Sequence, residues 1–311
     1  MTDVLLATCS NFPDGEPGAE ALSAVLEARG ISSRWVVWDD PAVDWAAARL
    51  VAVRATWDYT GKYAAFLAWA REVEKVTPML NGADVFAWNC DKAYLAGLAG
   101  VPVVPTVTAD DVPALQEAVA RFGRAVVKPR IGAGGAGVIV VEDPSDPRLG
   151  TDIDDVPGLP ARGPWVVQPL VESVRTEGET SVFVLGGRAV SQVDKLPVGD
   201  EIRVHEFFGG SSRPVPLRDE AASLAYAAFA AAAELLGRPL HYGRVDLLRL
   251  ADGTLAVSEL ELVEPGLYLD VLPANAEPFA DVVAAMVQAA PASATAAPVA
   301  NAQGIPADWA T

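Results

Sequence analysis

The most constraining feature of the sequence is a glycine-rich loop between two short apolar runs, AVVKPRIGAGGAGVIVV at 125–141. The β-branched residues on both sides predict two strands, so the loop joins a strand to a strand. The P-loop and the dinucleotide-binding fingerprint both require a helix N-terminus after the glycines, and this spacing therefore argues against them. Two interpretations remain open: a plain hairpin turn, or a flap whose backbone N–H groups cover phosphates.

Composition favours a folded protein of about two domains, because the chain has 311 residues and 51% of them are hydrophobic. The formal net charge is −18. Such a field repels phosphate backbones, so we expect no nucleic-acid partner. An anionic ligand then needs local cationic side chains and backbone N–H groups, whereas a metal cation suits the acidic background.

The two cysteines, Cys9 and Cys90, are too few for a disulfide framework and lack the spacing of a zinc site. We expect them to be reduced thiols of a cytoplasmic protein. The N-terminal sequence MTDVLLATCS has no basic region before an apolar core, so we expect no signal peptide. The alanine-rich run 221–237 predicts a core helix rather than a membrane span, and we therefore expect no membrane partner.

Periodicity in the opening part of the chain predicts a βαβ-like unit with a small parallel sheet flanked by helices. The predicted strands are 4–8, 34–38 and 50–54, and the predicted helices are 16–30 and 62–75.

The rest of the chain predicts helices mixed with strands. Asn89 is expected to cap a helix that ends near Gly100, and Pro113 lies in the first turn of another expected helix. The further expectations are a helix at 111–123, a loop at 143–164, mostly strand at 165–208, an Asp-Gly hairpin at 240–262, a helix at 277–289 and a loose tail from Ala290.

The hairpin at 240–262 carries three acids, Asp246 on one strand and Glu259 and Glu261 on the other. Residues i and i+2 of a strand share a face, and carboxylates packed together need a cation among them. Mg²⁺ meets that need, since it takes one or two carboxylates together with phosphate oxygens. Alternatively, the acids face solvent and pair with Arg244 and Arg249.

Two lysines complete this pattern. Lys128 ends the apolar run before the glycine loop, and a buried ammonium group needs an anion. Lys92 lies in a separate helical pattern. Alternatively, Lys128 extends to solvent or forms a salt bridge, and Lys92 is an ordinary surface lysine.

The order of these features resembles the ATP-grasp enzymes, specifically the glutathione-synthetase-like branch. The resemblance covers about 88–290 and rests on DKAYL (91–95), VVKP with the glycine loop, VVQPLV (166–171), EGETSVFVLGGRAV (177–190) and VDLL with SELEL. It implies an α/β fold, α+β in its C-terminal part, in which a small parallel-sheet domain precedes an ATP-grasp fold. The implied domains are 1–87, the preceding domain; 88–170, the first ATP-grasp subdomain with the glycine flap; 171–290, the second subdomain with the metal hairpin; and 291–311, a loose tail.

The resemblance also implies a role for each matching position. The implied ATP-binding residues are Lys92 and Lys128 at the phosphates, the flap glycines Gly132, Gly134, Gly135 and Gly137, the adenine hinge Gln168, Leu170 and Val171, and Glu179 at the ribose, with Glu172 as a rival. The implied ligands of Mg²⁺, or of Mn²⁺ in its place, are Asp246, Glu259 and Glu261.

Two positions depart from the family pattern. Glu261 stands where the family often has Asn, and Ser181 stands where related synthetases carry Arg. The first departure puts one metal ligand in doubt, and the second indicates that contacts to the second substrate differ.

An acid substrate is expected beside the γ-phosphate, where cations neutralise the charge of phosphoryl transfer and no nucleophilic side chain is required. Arg244 and Arg203 are the candidate catalytic residues. Further candidates for substrate contact are Lys195, His205, Arg54, Thr56 and Asp58, the last three because they follow a strand of the first predicted sheet. Alternatively, these residues are surface charge on an acidic protein, and the neighbouring Trp57 belongs to the core.

At finer resolution, several segments resemble the D-cycloserine synthetase family: FPDGEPGAEAL (12–22), RWVVWDDPAVDW (34–45), VRATWDY (53–59), WNCDKAYL (88–95) and GDEIRVHEFFGGS (199–211). That resemblance implies an ATP-dependent cyclo-ligase of antibiotic biosynthesis that phosphorylates the carboxylate of O-ureido-D-serine and closes the ring of D-cycloserine. A homodimer is compatible with it. The alternatives are an intermolecular amino-acid or peptide ligase of the same fold and a non-catalytic ATP-binding module.

Overall fold

The computed structural model describes residues 2–149 and 163–289 and contains three β-sheets. The first sheet is parallel, with its strands in the order β2-β1-β3. Its strands are β1 (Thr2–Thr8), β2 (Ser33–Val37) and β3 (Ala48–Ala55), and its helices are α1 (Ala19–Ala28), α2 (Tyr63–Glu74) and α3 (Ala83–Asn89). The predicted parallel sheet is confirmed.

The first sheet is covered on both faces, because successive side chains of a strand point to opposite sides. In β1, Val4 and Leu6 pack in the same core as Leu22 of α1. Leu5 packs in the other core with Phe66 of α2. Burial on both sides explains why the strand reads as a continuous apolar run instead of an alternating one.

The second sheet is antiparallel and contains the glycine loop, which joins β5 to β6 as a hairpin. Its strands are β4 (Val107–Ala109), β5 (Ala125–Pro129), β6 (Ile139–Val141) and β7 (Trp165–Pro169), in the order β4-β7-β5-β6. Helix α4 (Tyr94–Gly97) precedes the sheet, and helix α5 (Val112–Phe122) covers it. The helix predicted at 111–123 is confirmed, and the Asp111 side chain caps it by accepting from the Ala114 N–H at 2.8 Å.

The helix predicted to begin at Asn89 is wrong. Asn89 is instead the last residue of α3, and only the single turn of α4 follows before Gly100. Its buried amide donates to the Leu260 carbonyl and accepts from the Leu262 N–H, each at 2.7 Å. The side chain therefore satisfies the edge of a distant strand, a tertiary demand that local capping rules do not detect.

The third sheet is antiparallel and carries the predicted acidic hairpin. Its strands are β8 (Glu179–Leu185), β9 (Arg188–Leu196), β10 (Ser211–Val215), β11 (Tyr242–Arg249) and β12 (Leu255–Glu261), in the order β10-β9-β8-β11-β12. Helix α6 (Asp219–Leu236) packs against this sheet through its alanine face and ends at Gly237 with a left-handed φ of +63°. The Asp-Gly hairpin is confirmed.

The strand expected at the end of 165–208 is wrong. Residues 201–204 are irregular, and Glu206–Phe208 form a single 3₁₀ turn. The Glu201 carboxylate accepts from the N–H groups of Ile202 and Arg203, at 2.8 and 3.1 Å. Because a side chain takes the backbone donors that a strand partner would need, the apolar alternation here does not produce a strand.

The last helix, α7 (Ala276–Ala289), returns to the first sheet. Phe279 and Val283 share a core with Val4 and Leu6 of β1 and with Phe183 of β8. The first and third sheets are therefore joined by one hydrophobic core. The strands of each sheet fall within one predicted domain, but the return of α7 crosses the predicted division, and the domain boundaries stay predictions.

Short 3₁₀ turns complete the described structure, at Trp45–Ala47, Trp57–Gly61, Glu172–Arg175, Glu206–Phe208 and Pro273–Asn275. Within 2–149 and 163–289, no helix combines the length and hydropathy that crossing a bilayer requires. Much of the loop predicted at 143–164 and the tail predicted from Ala290 lie outside the described residues.

Candidate active site

The glycine loop has the backbone geometry that its sequence requires. Gly134, Gly135 and Gly137 have φ values of +61°, +75° and +69°, a region that other residues rarely adopt. A Cβ atom on Gly135 would lie 3.3 Å from Phe208 and 3.4 Å from Arg203. The loop therefore packs directly against the segment that precedes β10.

Lys92 connects the glycine loop to the acidic hairpin. Its Nζ donates to the Gly132 carbonyl at 2.7 Å and lies 2.7 Å from Glu259 Oε1. Burial works against its charge, but the carboxylates of Glu259 and Glu261 outweigh that effect and raise the pKa of Lys92. The structure thus brings together one predicted phosphate-binding lysine, the predicted flap and one predicted metal ligand.

Lys128 has a different environment. Among the residues in 2–149 and 163–289, no group forms a hydrogen bond or an ion pair with its ammonium. Burial lowers the pKa of Lys128, and the nearby carboxylates of Glu259 and Glu179 offset this only in part. A partly buried ammonium close to several acids but paired with none is available to bind an anionic ligand.

The predicted adenine hinge lies between the second and third sheets. Val171 packs with Val104 and Ala256 in a small apolar cluster. The Leu170 N–H already donates to the Arg124 carbonyl at 2.9 Å, so it is not available to a base. The Gln168 side chain is also engaged, since its Nε2 donates to Thr106 Oγ1 at 3.0 Å.

Asp246 lies at the centre of the third-sheet charge cluster. Arg244 donates to it through two nitrogens, each at 2.9 Å, and Ser181 donates at 2.5 Å. Lys195 Nζ lies 3.5 Å away. Burial alone would raise the pKa of Asp246, yet Arg244 and Lys195 lower it. The pairing of Arg244 with the acids, considered as an alternative above, is present, whereas Arg249 pairs with Glu220 and Glu177 elsewhere.

Glu259 and Glu261 have pKa values shifted in opposite directions although they share one face of β12. Asp246 is directly opposite Glu259 in the strand register, and Arg244 is opposite Glu261. Burial would raise the pKa of Glu259, but Lys92 and Lys128 lower it. Partial burial raises the pKa of Glu261 to about 7, although Arg244 contacts it. Within the described part of the chain, no three acids, histidines or cysteines are close enough together to form a ready metal cage.

The structure separates the two candidate ribose acids. Glu179 lies at the start of β8, is paired with Lys195 at 2.5 Å, and has a pKa that burial raises. Glu172 is exposed and pairs with Arg124 and Arg175. Only Glu179 belongs to the charge cluster around Asp246.

Arg203 and His205 lie on the segment beside the glycine loop. Arg203 stacks on Phe208, with 3.7 Å between the guanidinium carbon and the ring centroid, and is 2.7 Å from Glu201. A Cβ on Gly134 would lie 4.0 Å from His205 Nε2. Burial lowers the pKa of His205, and Lys195 and Arg244 add to that shift. Both residues therefore lie beside the glycine loop.

The predicted substrate contacts Arg54, Thr56 and Asp58 stay predictions. Arg54 and Thr56 are 0% exposed. Both Asp58 oxygens are engaged, one by Trp38 Nε1 and the other by Lys62 Nζ, each at 2.8 Å. These side chains hold the first domain together and fasten it to the loop after β12.

Sequence reasoning overlooked one acid, Glu264, which lies three residues beyond β12. It is 7% exposed, and burial raises the pKa of its carboxyl to about 8, with Glu261 adding to the rise. A glutamate before Pro-Gly reads as an ordinary turn residue. The sequence feature that could have identified it is its position inside the apolar run LELVEPGLYL, where an acid is expected to be at least partly buried.

Two family descriptions match the chain. The first is "D-cycloserine synthetase DcsG, N-terminal domain", over residues 4–81, and the second is "Prokaryotic glutathione synthetase, ATP-grasp domain", over residues 92–242. Together they span the first parallel sheet, the glycine loop and most of the third sheet.

Among individual relatives, the chain is 33% identical to the cycloserine biosynthesis protein DcsG of Streptomyces lavendulae over 274 residues, which are 82% of this chain and 89% of the relative. A Synechocystis glutathione synthetase is 27% identical over 141 residues, covering 45% of this chain and 43% of that protein. The crystal structure of D-cycloserine synthetase DcsG superposes with a TM-score of 0.78 at 31% identity, covering 91% of this chain and 99% of the other. D-alanyl-alanine synthetase A of Vibrio cholerae shares only the fold, with a TM-score of 0.62 at 14% identity and coverage of 93% and 98%.

Proposed function

The chain belongs to the D-cycloserine synthetase family of ATP-grasp ligases, and from that premise we propose that it converts O-ureido-D-serine to D-cycloserine with ATP. ATP-grasp ligases of this kind are ATP-dependent and join a carboxylate to a nitrogen. The observation that carries the proposal is the match of the first 81 residues to the N-terminal domain of D-cycloserine synthetase. That part of the chain lies outside the segment matched to the glutathione-synthetase domain, so it separates the two branches.

ATP is proposed to lie between the second and third sheets. The apolar cluster of Val104, Val171 and Ala256 is suited to the adenine base. The Val171 N–H has no acceptor within the described ranges, so within the predicted hinge we propose it as the donor to the base. Glu179 is proposed for the ribose hydroxyls, to which a carboxylate at the mouth of the cluster can accept hydrogen bonds.

The phosphates are proposed to lie under the glycine loop. Lys128, which has no partner among the described residues, is proposed to bind them. Lys92 is proposed as a second phosphate contact because it already contacts the Gly132 carbonyl of the loop. The left-handed glycines Gly134, Gly135 and Gly137 let backbone N–H groups approach phosphate oxygens without side-chain clash.

The donor set of the hairpin fits Mg²⁺, because all three candidate ligands, Asp246, Glu259 and Glu261, are hard oxygen donors. Mg²⁺ needs only one or two carboxylates besides phosphate oxygens and water, so a closed protein cage is not required. When bound, the ion supplies charge neutralisation at the transferred phosphoryl group. Mn²⁺ fits the same donors.

The remaining chemistry is positioning and charge balance by the chain itself. Arg244, Arg203 and Lys195 are proposed to hold the substrate carboxylate and the transferred phosphoryl group in line, and His205 borders the same space. The carboxylate takes the γ-phosphoryl group and ADP leaves. The ureido nitrogen that is bonded to the side-chain oxygen then attacks the acyl carbon, which forms the C–N bond of the ring and releases phosphate. One water hydrolyses the carbamoyl group to carbon dioxide and ammonia.

The test is ADP release with Mg²⁺-ATP and O-ureido-D-serine, run beside D-serine, L-amino acids and pairs of amino acids. We expect turnover with the single ureido compound, and D-cycloserine and ammonia in amounts equal to ADP. Turnover only with a pair of substrates would replace this proposal by an intermolecular ligase. ATP binding without turnover on any of them would favour the non-catalytic module. Cytoplasmic location and a homodimer stay predictions.

A further inference from the structure

The carboxyl group of Glu264 is buried without a partner. The residue is 7% exposed, and its own backbone N–H lowers the pKa of the carboxyl without cancelling the effect of burial. No cation or other hydrogen-bond donor in 2–149 and 163–289 pairs with it. A largely buried carboxyl without a cationic partner is costly to ionise, and a cationic ligand would supply that partner.

The loop that carries Glu264 is fixed by residues of the first domain and of β11. Trp57 Nε1 donates to the Glu264 carbonyl at 3.1 Å, and Arg54 Nη2 donates to the Pro265 carbonyl at 2.6 Å. Glu16 accepts from the Leu267 N–H, and Tyr242 donates to the Val263 carbonyl, both at 2.6 Å. The unpaired carboxyl is therefore held in place by its backbone and is not a flexible surface side chain.

Glu264 lies three residues after the candidate metal ligand Glu261, and Trp57 of the first domain contacts its carbonyl. Its carboxylate is one of the acids that raise the pKa of Lys92, and the Lys92 and Arg244 charges in turn act on the pKa of Glu264. The Glu264 charge also raises the pKa of Tyr59 in the first domain and of Cys90, which directly follows α3. Glu264 thus lies where the first domain meets the hairpin that is proposed to hold the reacting phosphate.

The substrate of the proposed reaction has a cationic group that could pair with the Glu264 carboxyl. O-ureido-D-serine carries an α-ammonium group next to the carboxylate that is phosphorylated, and the ammonium takes no part in ring closure. Lysine and arginine side chains are proposed to serve the phosphates and the carboxylate, and a carboxylate is the side chain that complements an ammonium group. Burial raises the pKa of Glu264 to about 8 in the ligand-free chain, and an arriving cation restores its charge.

We propose that Glu264 binds the α-ammonium group of the substrate and thereby selects amino acids over acids that lack the amine. The proposal rests on the function proposed above for the carboxylate. Glu264 touches substrate in this scheme, whereas Arg54, Glu16 and Trp57 are positioning residues that act through the loop.

The experiment compares two substrates in the wild-type chain and in Glu264→Gln: O-ureido-D-serine and its des-amino analogue, 3-(ureidooxy)propanoic acid. We expect wild type to prefer the amino compound in kcat/KM, and the substitution to reduce that preference roughly 10- to 100-fold, as for a lost charge-assisted hydrogen bond. The KM for ATP should stay within about twofold. Glu234→Gln, an exposed acid at the end of α6, is the matched control and should keep the wild-type preference.

Two outcomes would overturn the proposal. An equal loss of kcat/KM for both compounds in Glu264→Gln would assign the residue a structural role. If the wild-type enzyme has the same kcat/KM for the des-amino analogue and for the amino compound, the proposal is wrong. This result needs no variant, so it decides the question even if Glu264→Gln fails to fold. Glu264→Asp keeps the charge and should retain part of the preference.

Failure of the proposed function can be distinguished from failure of this proposal. If wild type releases no ADP with either compound, calorimetry with the ATP-loaded protein uses D-serine and 3-hydroxypropanoate as probes. Preference for D-serine that disappears in Glu264→Gln would support the role of Glu264 and reject the ureido substrate. Equal binding of the two probes by wild type would reject the role of Glu264.

Discussion

Two buried charge clusters on either side of the loop after β12 use the same kinds of side chain for different purposes. The first is the closed pair of Arg54 and Glu16, which are 0% and 3% exposed and hold the loop at 263–267. The second is the open cluster on the third sheet, in which cations and acids are crowded together and Lys128 is left unpaired. In a structural pair the two charges neutralise each other in one fixed geometry, whereas in a ligand site some charges remain available to bind a ligand.

The electrostatic cost differs accordingly. Burial of opposite charges must be offset by close contact. Arg54 makes two contacts with one Glu16 oxygen at 2.8 and 3.2 Å and one with a carbonyl at 2.6 Å, while its Nη1 has no hydrogen-bond partner among the described residues. In the open cluster the pKa of Lys128 is lowered and those of Glu179 and Glu261 are raised. The molecule tolerates this imbalance, and a nucleotide with its cation would remove it.

The largest expected effect is the loss of activity in Lys128→Ala. Because its ammonium is unpaired in the protein, removal should cost little folding free energy but should lower kcat/KM roughly 10³-fold, about 4 kcal/mol of transition-state stabilisation. ADP release and the KM for ATP measure this effect, and thermal unfolding measures stability. Lys75→Ala is the control, since Lys75 is exposed and pairs only with Glu72. An unchanged rate in Lys128→Ala would remove the residue from the site.

The next effect concerns the closed pair and should appear in stability. Arg54→Met leaves Glu16 buried without its partner, and we expect the free energy of unfolding to fall by about 3 kcal/mol in urea titrations. Adding Glu16→Leu should recover part of the loss, because no isolated charge then remains. Arg188→Met on the exposed start of β9 is the control. A loss of kcat without a loss of stability would instead return Arg54 to the substrate site.

The sequence predicted those features that depend on local pattern. The strands and helices that alternate in the first domain, the alanine-rich α6 and the two hairpins follow from periodicity and turn residues, and they agree with the structure. The sequence could not predict how distant elements use a side chain. Asn89 serves the edge of β12, Arg54 holds a loop more than 200 residues away, with |i−j| of 211, and Glu264 is important only because tertiary burial leaves it unpaired.

The smallest expected effect is a pH dependence of the free energy of unfolding that comes from Glu264. Glu264 has a folded-state pKa of about 8 against an ordinary value of 4.5, because of burial and Glu261, with Lys92, Arg244 and the neighbouring Tyr59 and Cys90 around it. The folded state therefore holds one more proton than the unfolded state between these values, and stability must fall as pH rises through that window. Urea unfolding at about pH 5.5 and 7.5 should show wild type losing about 1 kcal/mol per pH unit more than Glu264→Gln. Glu234→Gln should keep the wild-type slope. Parallel pH profiles for wild type and Glu264→Gln would mean that Glu264 is ionised and paired in the folded chain, and would place it with the closed pair instead of the open cluster.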